Sequence, residues 1–388
     1  MNVSAHPTLR WRDLGPAQPE WAALAPEGNQ FHYTYNARAA LYQLLLAMPR
    51  SGRDTVLLPA FHCTTVVEAV LRAGWKVRFY RIKPDLSLDL QDLQCQLSSE
   101  VAAILVIHFL GFPAPLESVS RMSHQFGCYL IEDWAHSFLR GPAPHLAGDQ
   151  GDFALFSFYK HASSFAGGGL RVNIQIPWSL PLQRSAGVAQ SVRIFKRLLE
   201  QAIENSPGGP LKTTFQQCEQ WRVGRKHGQS AGTGVSGETS FGSPHEFSEP
   251  LARAGIPWLS RQILHASRWT PLFEARRRNY EFLARHLKQT SSFRVLRPAL
   301  PGDVCPWAFP VWLQARSEGD FKLRAAGVPL FTFGETLHPE VERASEAARK
   351  DAQELSQRLL LLAVHQNLEP ANMEHTVQLV NQFYSKAA

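Results

Sequence analysis

The chain reads as an α/β protein: a large unit layered on a mostly parallel sheet, then a smaller α+β unit toward the C-terminus. Three observations predict this. Between about residue 31 and residue 175, helix-like and strand-like stretches alternate, the pattern of a parallel sheet with helices on its faces. The 388 residues exceed what one compact core ordinarily serves. From about residue 266 a fresh amphipathic pattern begins, with its own strand and closing helices. The expected division is an N-terminal arm over 1–30, a large domain over 31–265 and a small domain over 266–388.

The elements follow in order. Ala39 to Met48 has helical spacing, and Thr55-Val56-Leu57-Leu58 is a short apolar run closed by Pro59. Thr65 to Ala73 is helical and stops at Gly74, a preferred residue at helix C-termini. Lys76 to Arg81 alternates like a strand, Leu90 to Leu97 reads as a short helix, and Val101 to Phe109 as a buried strand. Leu116 to Phe126 is a helix stopped by Gly127; Tyr129 to Glu132 and Phe153 to Phe158 complete the strands. The stretch 176–265 is less periodic. It holds a helix over Val188 to Ile203 and a Gly/Ser/Thr-rich segment, Gly228 to Ser243, that reads as a loop. Beyond it come a long amphipathic helix from about 266, a strand at Phe309 to Leu313, and helices over Ala344 to Leu362 and Met373 to Tyr384.

The composition, 44% hydrophobic and 19% charged, is that of a soluble globular protein. Five cysteines (Cys63, Cys95, Cys128, Cys218, Cys305) are odd in number, scattered and without CxxC spacing. A disulfide framework or zinc site is therefore not expected, and a reducing cytoplasm fits. Met1 to Gln30 has no apolar stretch behind a basic start, so no signal peptide is expected. The longest apolar run, Val101 to Phe112, is interrupted by His108 and too short to span a bilayer. The net charge of +7 is dispersed; its one dense cluster, Arg276-Arg277-Arg278, lies in an amphipathic pattern and reads as a solvated helix face. No zinc-finger, RNP or helix-turn-helix signature is present, so neither nucleic acid nor membrane is an expected partner.

Parallel sheets present ligands at the carboxyl ends of their strands. Pro59 to His62, Asp133 to His136 and Tyr159-Lys160 all fall at or just past such ends. A carboxylate ending one apolar strand and a lysine just past another suit pyridoxal 5'-phosphate (PLP). The carboxylate pairs with the protonated pyridine nitrogen and the lysine holds the aldehyde as a Schiff base. Ser157 is placed to donate to the phosphate, and Gly167-Gly168-Gly169 permits tight turns and close backbone approach. Asn36-Ala37-Arg38 opens a helix whose free amides and dipole favour a phosphate. His136 is within reach of the phenolic oxygen, and His62 is a candidate to stack on the ring. Plain structural readings stand beside each of these: an exposed lysine, an aspartate N-cap, a structural His62, an ordinary capping Asn36. Core or capping duty is the reading for His365, and Cys63 reads as a small buried residue.

Taken together, these segments resemble the DegT/DnrJ/StrS family of PLP-dependent, fold-type-I sugar aminotransferases, in a divergent form. The resemblance spans roughly 31–175, with a weaker return at 325–384. It is carried by Asn36 to Leu41, Leu58 to Cys63, Leu71 to Gly74, Val106 to Gly111, Ile131-Glu132-Asp133, and Gly151 through Lys160 to Gly169. It implies a PLP-dependent transferase (fold type I) large domain with a mostly parallel sheet, plus a smaller α+β C-terminal domain. Lys160 would be the Schiff-base lysine and proton shuttle, and Asp133 would keep the pyridine nitrogen protonated. Ala37, Arg38 and Ser157 would grip the phosphate, and His136 stands where the family usually has glutamine. The chain departs from the pattern elsewhere too: two fewer residues between Ser157 and Lys160, His161 directly after that lysine, Cys63 near the usual stacking aromatic, no acidic residue over Ala166 to Gly169 where many relatives carry one, and Ala363 where a proline is usual.

The implied function is transfer of an amino group from an amino-acid donor such as glutamate to a keto-sugar, nucleotide-linked, by a homodimer with a shared active site. Two alternatives are carried: a PLP-dependent sugar dehydratase, which would turn over without an amino donor, and a non-catalytic binding protein on the same scaffold.

Overall fold

Thirteen strands, gathered into two larger sheets and one hairpin, organise the described residues, 4–15, 31–142, 145–180, 186–204, 247–314 and 316–385 of a computed structural model. The Gly228 to Ser243 segment and most of the expected arm lie outside them. The first sheet contains β1 (Phe31–Thr34), β2 (Thr55–Pro59), β3 (Lys76–Tyr80), β4 (Val101–Ile107) and β5 (Tyr129–Trp134). A short hairpin of β6 (Leu139–Arg140) and β7 (His145–Leu146) stands apart, and β8 (Phe153–Ser157) and β9 (Gly168–Val172) complete the sheet. The strand order is β1-β9-β8-β5-β4-β2-β3. Five strands, β8 through β3, run parallel, and β9 lies antiparallel between β8 and β1.

The parallel centre follows from the composition of its strands. β2, β4 and β8 are buried at every position, as expected of strands covered on both faces. The helix Leu116–Phe126 ends where expected, at Gly127, whose φ of 62° is left-handed and whose N–H reaches the Ser123 and His124 carbonyls. Two strands were not legible from alternation: the edge strand β1, and its neighbour β9, which incorporates Gly168 and Gly169 from the glycine run read as turn-forming.

The second sheet holds β10 (Phe293–Val295), β11 (Ala308–Leu313), β12 (Leu330–Phe331) and β13 (Leu359–Ala363), all antiparallel in the order β10-β11-β13-β12. Here one expectation fails. The helix expected to run to Leu362 ends at Arg358, and Leu359 to Leu362 instead form β13, a central strand. Four successive leucines bury both faces of a strand as readily as a helix stripe, and pairing with β11 and β12 decides between the two. The long helix expected from 266 is Trp269–His286, separated from a preceding helix, Trp258–Ala266, by extended Ser267. One contiguous apolar cluster runs from Leu41 through Ile104 and Leu361 to Tyr384, joining both sheets. Each fully buried leucine or isoleucine in it contributes about 1.5–3 kcal/mol.

Candidate active site

Parallel pairing carries the chemistry to one edge of the first sheet. Asp133 lies within β5, opposite Ile107 of β4 and Leu155 of β8, one residue before the strand ends. It is buried, and its Oδ1 accepts the Ala135 amide at 2.8 Å. No helix follows, so this is a turn contact and not an N-cap. Its other oxygen accepts no hydrogen bond among the described residues. Burial pushes the Asp133 carboxyl up, opposed by the Ala135 amide and the Lys160 charge.

Lys160 closes a 3₁₀ turn, Phe158–Lys160, directly after β8. It is half-buried, with Nζ 4.6 Å from the centroid of the Trp307 ring. Desolvation lowers its pKa, and Asp133 and Cys63 partly restore it. His136 packs on the same indole, its ring 4.3 Å from the Trp307 ring at 27°, with Phe333 edge-on at 4.6 Å. The Leu110 amide donates to His136 Nδ1 at 3.2 Å, so the ring proton of the neutral imidazole sits on Nε2. Burial first, then the Lys160 charge, hold His136 well below the usual histidine range.

Glu132, one residue before Asp133, braces this edge. Its Oε2 accepts His108 Nε2 at 3.2 Å and Trp134 Nε1 at 2.8 Å; its Oε1 accepts the amides of Gln150 at 2.9 Å and Gly151 at 2.6 Å. His108 in turn stacks on Trp134 with centroids 3.6 Å apart.

A second constellation lies where β8, β9 and the helix Ala37–Ala47 meet. Ser157 pairs with Gly168 across the strands. A Cβ on Gly168 would come within 2.6 Å of the Ala37 amide nitrogen, so only glycine lets β9 approach the helix start this closely. Asn36 Oδ1 accepts the Ala39 amide at 2.8 Å, and the amides of Ala37 and Arg38 lie outside the helix's own ladder. The Tyr159 phenol hydrogen-bonds Ser157, and burial, with Cys63 nearby and Arg38 opposing, raises its pKa.

Among the expected cofactor contacts, His62 is engaged elsewhere. It is fully buried, its Nδ1–H donates to the Pro59 carbonyl at 2.7 Å, and its ring stacks on Phe79 with centroids 5.5 Å apart. Cys63, at the start of the helix Thr64–Arg72, is the neighbour that lies near Lys160 and Tyr159. His365 is buried, with Nε2 at 3.0 Å from the Ser4 carbonyl.

Arg276 corrects the reading of the arginine cluster as a solvated face. It is fully buried, and burial lowers its pKa to about 10. The signal was present: Leu272, Arg276, Tyr280 and Leu283 share one helical stripe at spacings of three and four, so Arg276 stands on the apolar side. Trp307 carried no local signal, because its partners lie far away in sequence. Among the described residues there is no group of three His, Cys, Asp or Glu that could hold a metal, and no helix is long and apolar enough to cross a membrane.

Comparison with known proteins bears on this edge directly. The model of the DegT/DnrJ/EryC1/StrS aminotransferase family matches residues 31–173, which carry Asp133, His136, Ser157 and Lys160. GDP-perosamine synthase of Vibrio cholerae is 24% identical over 135 residues, 34% of this chain and 37% of that protein. The UDP-4-amino-4,6-dideoxy-N-acetyl-beta-L-altrosamine transaminase of Campylobacter jejuni is 27% identical over 161 residues, 40% of this chain and 43% of that protein. The matches thus span about two fifths of these curated relatives. In structure the likeness is wider. PseC of Helicobacter pylori, an aminotransferase involved in the biosynthesis of pseudoaminic acid, superposes with a TM-score of 0.64 at 15% identity, covering 99% of both chains. The fold expected from the sequence, that of a PLP-dependent transferase with a mostly parallel sheet and a smaller second sheet, is the one found.

Proposed function

We propose that the chain is a PLP-dependent aminotransferase that moves an amino group from an amino-acid donor, glutamate, to a nucleotide-linked keto-sugar. We further propose that it works as a cytoplasmic homodimer, with residues 31–265 holding the cofactor and 266–388 forming the smaller domain. The observation that carries the reading is the meeting of Asp133, His136 and Lys160 at one sheet edge, beside the helix start at Ala37. The nucleotide link rests on the names of the relatives, which are enzymes of GDP- and UDP-linked sugars.

The residues present fit PLP. A buried carboxylate with one unclaimed oxygen suits a pyridinium N–H, and the helix-start amides of Ala37 and Arg38, which Gly168 lets β9 approach closely, suit a phosphate. When bound, the cofactor supplies an aldehyde for amine capture and an electron sink for the substrate carbon. Asp133 would accept the ring N–H and hold that proton in place. His136, its tautomer held by Leu110, would donate Nε2–H to the phenolic oxygen. The amides of Ala37 and Arg38 and the Ser157 hydroxyl would hold the phosphate. Lys160, with its pKa lowered by burial, has more of its amine neutral and nucleophilic near pH 7, and moves the proton at the substrate carbon. The Trp307 and Phe333 rings keep water from that face.

The test is the visible spectrum of the purified protein with added PLP, before and after glutamate, in wild type, Lys160→Ala and Asp133→Asn. A visible band that requires Lys160, bleaches with glutamate, and bleaches on the order of 100-fold more slowly in Asp133→Asn supports transamination. A Lys160-dependent band indifferent to every amino donor points to dehydration. No Lys160-dependent band overturns the cofactor assignment.

A further inference from the structure

The helix Trp269–His286 buries one guanidinium completely. Arg276 Nη2 donates to the Lys160 carbonyl at 3.2 Å, Nη1 to the carbonyls of Pro306 and Trp307 at 3.3 Å each, and Nε to Gln366 Oε1 at 3.2 Å. No carboxylate lies within ion-pair distance of it among the described residues. Uncompensated buried cations are rare because desolvation is costly, so this one needs a reason beyond stability. Its acceptors supply one. They include the backbone of the reactive lysine and that of the tryptophan whose ring lies beneath the lysine's amine. Gln366 extends the brace: its amide donates to the His161 carbonyl at 2.8 Å while its oxygen takes Arg276. Three distant parts of the chain, 160–161, 306–307 and 366, are therefore tied through one planar fork.

We propose that Arg276 is a positioning residue for Lys160: its guanidinium fixes the Lys160 and Trp307 backbones together and so holds the lysine amine in its place over the Trp307 ring. The proposal rests on the reading of Lys160 as the reactive amine. Charged and titratable groups facing that amine are Asp133 from β5, Cys63 from the start of the helix Thr64–Arg72, His136 beyond β5 and the adjoining His161. Asp133 and Cys63 favour the ammonium, whereas burial opposes it. The imidazoles, both held neutral by burial, add no charge.

The test compares wild type, Arg276→Met, Arg276→Lys and Gln366→Leu in the full chain. The first readout is the pH midpoint of trace acetylation at Lys160, measured by mass spectrometry without PLP. The second is the rate of glutamate-driven bleaching of the PLP-loaded protein. By releasing the amine from the burial that lowers its pKa, Arg276→Met should raise the Lys160 midpoint, and it should slow bleaching by about 100-fold, the usual cost of a small misplacement at a reacting group. Arg276→Lys, keeping a charge without the fork, should fall between the two. A folded Arg276→Met with the wild-type midpoint and rate overturns the proposal. If Arg276→Met does not fold, Gln366→Leu decides: a slowed rate with a moved midpoint supports the brace, and wild-type values overturn it. The acetylation readout needs no cofactor, so it stands even where wild type shows no PLP band, which would count against the cofactor reading alone.

Discussion

Glu132 and His108 share a hydrogen bond of 3.2 Å between two side chains fully withdrawn from solvent. The Ala114 amide donates to His108 Nδ1 at 3.0 Å, which leaves the ring proton on Nε2, facing Glu132. Burial lowers the His108 pKa, so the pair is a carboxylate accepting from a neutral imidazole. With Trp134 and two backbone amides also donating, every lone-pair direction of Glu132 is used, immediately beside Asp133.

Replacing this carboxylate with its amide should therefore be costly. Glu132→Gln turns an NH2 toward one pair of the four donors, at about 1–3 kcal/mol for each donor left facing it. Burial pushes the Glu132 carboxyl up, but His108 and the other donors outweigh it and hold the pKa below the ordinary carboxylate range. A depressed carboxyl stabilises the fold above its unfolded pKa, and that contribution is lost as pH falls through the folded value. Urea unfolding should show a large gap between wild type and Glu132→Gln near neutrality that narrows in acid. A gap constant with pH would count against an ionised Glu132.

His62 predicts a second pH effect. Burial pushes its imidazole down to about 4, with the Pro59 carbonyl opposing and His338 adding to the shift. Below the ordinary histidine value the unfolded chain binds a proton at this site that the folded chain refuses. Stability should therefore fall as pH drops from about 6.5 toward 4, by up to about 1.4 kcal/mol per unit from this residue. His62→Leu should flatten that slope in urea titrations at successive pH values. An unchanged slope would show that His62 is already protonated, or is reached by water.

Gly168→Ala tests the close approach of β9 to the helix start. The new Cβ would press on Asn36 and come within 2.6 Å of the Ala37 nitrogen, forcing β9 away from the helix. Overpacking of this kind costs about 1–3 kcal/mol. The Kd for PLP, measured by absorbance titration, should rise about tenfold for each 1.4 kcal/mol lost at the phosphate. Gly302→Ala, where a Cβ meets nothing within 4 Å, is the control and should leave the Kd unchanged. Equal Kd values for the two variants would place phosphate binding elsewhere.

Local pattern determined much of this protein. Apolar runs without alternation marked β2, β4 and β8 as buried parallel strands, and Gly127 marked a helix end, because burial on both faces and a left-handed φ each select residue types locally. Asp133 and Lys160 were legible for the same reason, as polar residues at the ends of such strands. What tertiary structure alone decided were the partners. Leu359 to Leu362 became a strand because β11 and β12 flank them, which no count of leucines reveals. His62 turned to Phe79 while Cys63 came within reach of Lys160, though the two are adjacent in the chain. Arg276 found the Lys160 carbonyl 116 residues away. Periodicity records which side of an element leaves water; it does not record which atom from a distant element waits there, and a buried polar group takes its role from that atom.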